Sequence, residues 1–473
     1  MPFSSKHRFL LDNDGNNFFA HLTDDLAGDI KELVDECPSE VTTVLFCPGA
    51  GTYYYPTRIG ATDLRKERLN AHLAQGTDPM GQALQALRAA GKETFLTFRM
   101  NDVHNPTDKD MWNTPVIRRE HPEMIVDPEG THEDDADWMC WCLDYSRQEI
   151  RDHIIALFEE LAARYPVDGF QLDWLRFPRH LPGDPETVWS LREHLTAVVR
   201  EAHRIFSARG VRLAVRVPTS MAGCRHLGLD IGEWARRGWV DMVTACPFLT
   251  TDFTMPLDAI RKEIQPASIP IYAGFDFAHG WQIHSPESMR AAATSLYACG
   301  ADGIYLFNYP CWIQFTSARS EATAAGLGHP ETACRKPLLF SLPITHHIRK
   351  PVIDEPGVLP VEVARGATVS LDLSLPDRSL PAGRAMAHIV GPGDFALEVN
   401  DRQALELPTR RQPEIFPWIS TSDSWLKEFS FETDDCRVYR VDPSTLRSGL
   451  NTLSFTNQGS ETSTIRRLNL GLM

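Results

Sequence analysis

What the chain lacks narrows its reading first. No run of about 18 apolar residues occurs in its 473 residues, so a membrane-crossing helix is excluded. The opening residues, MPFSSKHRFLLDNDG, have no apolar core of the kind a secretory leader needs, which makes the cytoplasm the expected compartment. Cysteine does not cluster: ten are scattered, and Cys140-Trp141-Cys142 is the only close pair. A zinc site would call for a second cluster, and Cys47, Cys246 and Cys299 fall in strand-like runs, so reduced thiols are expected rather than disulfides. Neither a GxGxxG nor a P-loop follows any strand-like segment, which removes the usual nucleotide readings. Positive charge is also short. A formal charge of −16 argues against nucleic acid as a partner, although local arginines could still hold a small anion. No metal and no organic cofactor is expected.

What is present is organised around VDGFQLDWLRFP, Val167–Pro178. Phe170, Leu172 and Trp174 alternate with Gln171 and Asp173, the period of an extended strand. Before it, Ile150, Ile154, Leu157, Phe158 and Leu161 recur at helical steps, and a second helical pattern covers Pro185–Phe206. A strand between two helices is the centre of a parallel α/β unit. Seven more strand candidates share this setting: Arg8–Asp12, Thr42–Cys47, Thr94–Met100, Arg212–Val217, Met242–Cys246, Pro270–Phe275 and Gly303–Asn308. Eight β/α alternations in about 300 residues predict an α/β fold, a (β/α)8 TIM barrel, over residues 1–345. Beyond Pro343 the helices stop. Val361–Val363, Thr368–Leu375, Phe395–Val399, Leu426–Phe431, Arg437–Val441 and Thr452–Phe455 read as short strands between Pro, Gly, Asn and Asp. They predict a C-terminal all-β sandwich over 346–473, jelly-roll-like, with VYRVDPSTLRSGLNTLSF resembling its last hairpin.

In a parallel barrel the residues facing the axis at strand C-termini form the floor of the site. Strand parity nominates Leu10 and Asp12, followed by Asn13 and Asp14; Thr97, Arg99 and Asn101, followed by Asp102; Arg212, Ala214 and Arg216; and Tyr272, Gly274 and Asp276. Asp173 closes the fourth strand beside Arg176 and Arg179, and Asn308 closes the eighth. A structural reading of Asp173, as a capping or salt-bridging residue, stands beside the functional one. Charged and amide groups at several strand ends suit a sugar, whose hydroxyls need donors and acceptors. Tyr53–Tyr55, Trp112, Trp138, Trp141, Trp174, Phe277, Trp281, Tyr309 and Trp312 follow strand ends and could stack on pyranose faces, or pack in the core. The longest insertion, Asn105–Asp144, follows the third strand and carries His121, His132 and the run Glu133-Asp134-Asp135-Ala136-Asp137. A histidine beside carboxylates there could be held protonated as a general acid; an acidic run is otherwise a solvated face.

DNDGNNFF, TYYYPT, FRMNDVHN, LDYS and VDGFQLDWLRFP together resemble glycosyl-hydrolase-like (β/α)8 proteins near the family 10-like set, over about Arg8–Asn308. Within that territory the layout resembles glycoside hydrolase family 156, inverting exo-sialidases with a barrel and a C-terminal β domain. The resemblance implies a catalytic aspartate at the end of the first strand and a histidine in the long third loop. Here these are Asp14, with Asp12 two residues earlier left open, and His132, with His121 as competitor. It also implies a fork for the sugar carboxylate, for which Arg99, Arg176 and Arg216 are available, with Asp12, Asn13, Asn101, Asp102, Asp173 and Asn308 around it. The partner implied is a sialylated glycan, and a homodimer is compatible with it. Two alternatives stay open: a neutral-sugar glycosidase pairing Asp173 with Asp276 or Asp102, and a carbohydrate-binding barrel without activity.

Overall fold

The computed structural model describes residues 8–103, 114–129, 139–247, 250–276, 278–279, 282–309, 324–344, 357–408 and 435–473. Eight strands close into a barrel: β1 (Phe9–Asn13), β2 (Thr43–Phe46), β3 (Glu93–Arg99), β4 (Gly169–Asp173), β5 (Arg212–Val217), β6 (Met242–Ala245), β7 (Ile271–Phe275) and β8 (Gly303–Leu306). Each pairs in parallel with its neighbours in sequence, and β8 returns to β1. The TIM barrel and the sandwich after it are those the sequence predicts.

Strand β4 shows why the pattern works. Phe170 and Leu172 point outward under α1 (Gln148–Arg164) and α2 (Glu193–Ser207), where the Phe170 ring stacks on Phe206 at 4.0 Å between centroids. Ile150, Ile154, Leu157, Phe158 and Leu161 form the buried stripe of α1, as their spacing requires. Removing a ring such as Phe170 from water is worth about 1.5–3 kcal/mol. Gln171 and Asp173 take the opposite parity and enter the barrel. The helical pattern over Pro185–Phe206 is two helices, Pro185–Ser190 and α2.

The interior is polar at both ends. At the N-terminal end Glu93 accepts from Arg8 Nε at 3.0 Å and Thr43 Oγ1 at 2.7 Å, and it also pairs with Arg212. Arg8 Nη1 reaches Tyr272 Oη at 3.2 Å. Arg212 and Tyr272 therefore share the inward parity of site residues but close the floor instead.

Leu338–Ser341 (β9) lies before residue 346 yet pairs with β19 (Arg467–Leu472), so the sandwich takes in a strand from the barrel side of that boundary. Its larger sheet runs β9-β19-β12-β16-β15, with β12 (Ala385–Val390), β15 (Leu405–Leu407) and β16 (Cys436–Val441). The second sheet runs β11-β17-β13-β14: β11 (Thr368–Leu375), β13 (Phe395–Val399), β14 (Arg402–Gln403) and β17 (Gly449–Asn457). A short pair joins β10 (Val361–Val363) to β18 (Ser463–Ile465). The expected last hairpin is instead an arch. Strand β16 belongs to the first sheet and β17 to the second, because a turn of 3-10 helix, Pro443–Thr445, capped by Asp442, redirects the chain between them. The expected strand Leu426–Phe431 lies outside the described residues.

Candidate active site

The C-terminal mouth of the barrel gathers the carboxyls of Asp12, Asp14, Asp102, Asp173 and Asp276 and the guanidiniums of Arg99, Arg176 and Arg216. β1 delivers Asp12, and the turn after it delivers Asp14. There Asn13 Oδ1 accepts the Gly15 amide at 2.8 Å and Asp14 Oδ1 accepts the Asn16 amide at 2.9 Å. Gly15 has a φ of 77°, and a Cβ there would meet the Tyr54 ring at 3.0 Å, so the turn needs glycine. β3 delivers Arg99, whose Nη1 donates to Asp102 Oδ2 at 2.9 Å while Nη2 lies 3.6 Å from Asp14 Oδ2. Nη2 is buried and makes no hydrogen bond among the described residues.

Asp173, at the end of β4, accepts from Arg216 Nη1 on both oxygens at 3.0 Å and from the Leu175 amide at 3.0 Å. Arg216 is fully buried; it also donates to Cys246 Sγ, and its Cζ lies 3.8 Å from the centre of the Phe307 ring. Arg176 lies with its Cζ 5.5 Å from Phe177 and 5.8 Å from Phe307. Phe177 holds a φ of 58°, a strained value for a bulky residue.

Beneath this rim runs a chain of neutral partners around Asp12. Tyr305 Oη donates toward Asp12 Oδ2 at 2.8 Å and lies 3.2 Å from Gln171 Oε1, which accepts from Thr97 Oγ1 at 2.9 Å. The Asn308 amide, on a residue with a φ of 49°, donates to Asp12 Oδ1 at 3.3 Å. Gly274 makes room for this arrangement, since a Cβ there would sit 2.8 Å from Cys246 Sγ and 3.1 Å from the Tyr305 ring.

Burial dominates the electrostatics. It raises the Asp12 carboxyl to about 6; Arg216, Tyr305 and Arg99 oppose the shift and the charge of Asp173 adds to it. Burial alone would lower Arg216 and Arg99, yet both are raised by their surroundings, Asp173 leading for Arg216 and Cys47 and Asp102 for Arg99. Arg176 is lowered, first by burial and then by Arg99. Burial likewise pushes the Cys47 thiol up to about 12 and Cys246 to about 11. Neither supplies a thiolate nucleophile near neutral pH.

Asp12, Asp14, Arg99, Asp102, Asp173, Arg176, Arg216 and Asn308 thus meet at one end of the barrel, whereas Asn13 takes the outward parity of Leu11, beside Leu33 and Leu87, and serves the Gly15 turn. Asn101 turns aside, its Nδ2 donating to His180 Nδ1 at 3.0 Å and its Oδ1 accepting the Leu143 amide at 2.8 Å, so it ties the long third loop to the fourth. His180 Nε2 must then donate to the Trp174 carbonyl at 2.9 Å, and burial lowers the imidazole to about 4, keeping it neutral. His132 lies outside the described residues, as do Trp112, Trp138, Phe277, Trp281 and Trp312. His121 pairs with Glu123 at 3.4 Å on an exposed part of the loop. Trp174, Tyr53, Tyr54, Tyr55 and Tyr309 are core residues, and Tyr55 Oη donates to Glu160 at 2.9 Å. They follow strand ends, but their rings complete the packing between strands and helices. Tyr305 and His180 escape the parity argument: Tyr305 lies mid-strand in an apolar run, and His180 follows the fourth strand by seven residues. Extending the parity count to β8 would have found Tyr305.

No protein-family model matches the chain, and no curated protein matches it. Among solved structures it is similar to a cycloisomaltooligosaccharide glucanotransferase of Paenibacillus sp. complexed with cycloisomaltoheptaose, at 11% identity and a TM-score of 0.37, over 98% of this chain and 57% of that one. It is similar to alpha-L-fucosidase isoenzyme 2 of Paenibacillus thiaminolyticus, at 14% identity and a TM-score of 0.43, over 67% and 48%. It is also similar to the PgaB (BpsB) glycoside hydrolase domain of Bordetella bronchiseptica, at 12% identity and a TM-score of 0.40, over 64% and 93%. The chain spans about half the length of the first two.

Proposed function

We propose that this chain is a glycoside hydrolase acting on a terminal anionic sugar, an inverting exo-sialidase. The observation that carries the reading is the set of three arginines, Arg99, Arg176 and Arg216, interleaved with Asp12, Asp14, Asp102 and Asp173 at one barrel mouth. A sugar carboxylate needs a fixed guanidinium donor. Arg99 suits this task best, since its buried Nη2 has a carboxylate at 3.6 Å rather than a hydrogen bond among the described residues. Arg216 is committed to Asp173 and would act by shaping the field.

An inverting hydrolysis needs a base that activates water on one face of the sugar and an acid at the leaving oxygen, with room between them for the water, about 6.5–9.5 Å for carboxyl pairs. Asp14 fits the base better than Asp12, because it stands at the rim with a side chain 13% exposed, whereas Asp12 is sealed below. His132 is the acid the family resemblance implies. The water's oxygen bonds to the anomeric carbon as the bond from that carbon to the glycosidic oxygen breaks; the water's proton passes to Asp14, and the departing oxygen takes the proton of the histidine.

A fluorogenic sialoside tested against neutral aryl hexosides decides the reading. Turnover of the sialoside alone is expected. Turnover of neutral hexosides alone would transfer the assignment to a carboxyl pair containing Asp173, and binding without turnover would make this a carbohydrate-binding barrel.

A further inference from the structure

One hydroxyl at the centre of the bowl has a single proton and two acceptors. Tyr305 Oη lies 2.8 Å from Asp12 Oδ2 and 3.2 Å from Gln171 Oε1. The second lone pair of Gln171 Oε1 serves Thr97 Oγ1 at 2.9 Å, so this oxygen can receive both hydroxyls at once. Asp12 itself is 2% exposed, and its other oxygen takes the Asn308 amide. A buried carboxyl with rigid partners ordinarily leaves one group unsatisfied in one of its two charge states, which is costly. Here Asp12 and Tyr305 keep a partner in both states, while Gln171 Nε2 makes no hydrogen bond among the described residues. When Asp12 is ionised, Tyr305 donates to it. When Asp12 is neutral, its own proton goes to Tyr305 Oη, and the tyrosine proton swings to Gln171 Oε1.

We propose that Tyr305 and Gln171 are positioning residues that act through Asp12, a hydroxyl–amide pair that lets this buried carboxyl gain and lose a proton in place. The inference deepens the anionic-sugar reading and rests on it for its consequence. With Asp12 neutral the mouth loses one of its negative charges, beside Asp14, Asp102, Asp173 and Asp276, and a sugar carboxylate is repelled less. The charged and titratable groups around Asp12 are Asp173 of β4, Arg216 of β5, Arg99 of β3, Tyr305 of β8 and Cys47 after β2. Burial and Asp173 favour the neutral form, while Arg216, Arg99 and the tyrosine hydrogen bond favour the ionised one, and the balance falls at about 6.

The test is a carboxyl-carbon NMR titration of the full chain labelled at aspartate, with the Asp12 signal assigned through Asp12→Asn. It needs no substrate. Tyr305→Phe keeps the ring but removes the Asp12 hydrogen bond in both states, and because the bond to the ionised carboxylate is the stronger of the two, the Asp12 midpoint should rise. Gln171→Met keeps the volume but removes the acceptor that serves the neutral form, so the midpoint should fall. Each shift should be on the order of half to one pH unit, the worth of one hydrogen bond. Should either variant fail to fold, Thr97→Val, which leaves Gln171 Oε1 to Tyr305 alone, should raise the midpoint. The pH limb of sialoside binding should follow the same midpoints. Shifts of the same sign in Tyr305→Phe and Gln171→Met, or no shift in either, would overturn the proposal. Opposite shifts in a protein that neither binds nor cleaves sialosides would keep the proton switch and discard the sugar reading.

Discussion

A single nitrogen of Arg216, Nη1, serves both oxygens of Asp173 at 3.0 Å, with neither side chain more than 2% exposed. The pair joins β4 to β5 at the level where the site begins. It makes Asp173 first an anchor for a buried charge.

Asp173→Asn should therefore lower unfolding stability by about 3–5 kcal/mol, because it strands Arg216 without its counter-charge. Urea denaturation measures the loss, and Asp173→Asn combined with Arg216→Met should recover much of it. Full stability with abolished turnover would instead make Asp173 the catalytic carboxylate.

Asp14→Ala should cut turnover of the sialoside by about 10²–10⁴-fold, the range for a lost general base. The midpoint of thermal unfolding should move far less than the rate, since Asp14 stands at the rim with its side chain 13% exposed, where it caps the Asn16 amide and lies 3.6 Å from Arg99. His132→Ala should slow substrates with poor leaving groups far more than activated aryl sialosides, which need little protonation. An unaffected rate in both variants would remove the proposed acid–base pair.

Stability should depend on pH through Asp12. Its folded value, about 6, lies above that of an unfolded aspartate, so the folded state holds the proton more tightly. The resulting stabilisation is present in full below the unfolded carboxyl range and is lost as pH rises through about 6. Its size is about 3 kcal/mol. Urea titrations at a series of pH values should show this decline in the wild type, and Asp12→Asn should flatten it.

At the opposite end, Glu93→Gln should destabilise the barrel by about 3–5 kcal/mol, since two arginines, Arg8 and Arg212, lose the carboxylate they share. The kcat of the protein that remains folded should be unchanged. A selective fall in kcat would mean that the floor communicates with the mouth.

Strand order and number were legible because each barrel strand is short, apolar and bounded by a breaker, and Arg212–Val217 was readable to the residue. Inward parity was legible too: Thr97, Arg99 and Arg216 face the axis as alternation requires. Depth along the axis was not. Alternation places Arg212 and Arg216 on one face, yet four residues of extended chain separate the floor from the mouth. Aromatic residues misled for a related reason. Trp174 and Tyr55 follow strands, as stacking platforms do, but nothing local distinguishes them from rings that fill the gap between barrel and helices. The partners of Asp12 come from β4 and β8, more than 150 and 290 residues away in sequence, and only the closed register brings them together.

The buried ionic cluster of Arg8, Glu93, Arg212 and Tyr272 has one further consequence. It makes the barrel a blind vessel. Whatever binds at the mouth has to leave by the same face, because nothing passes along the barrel axis.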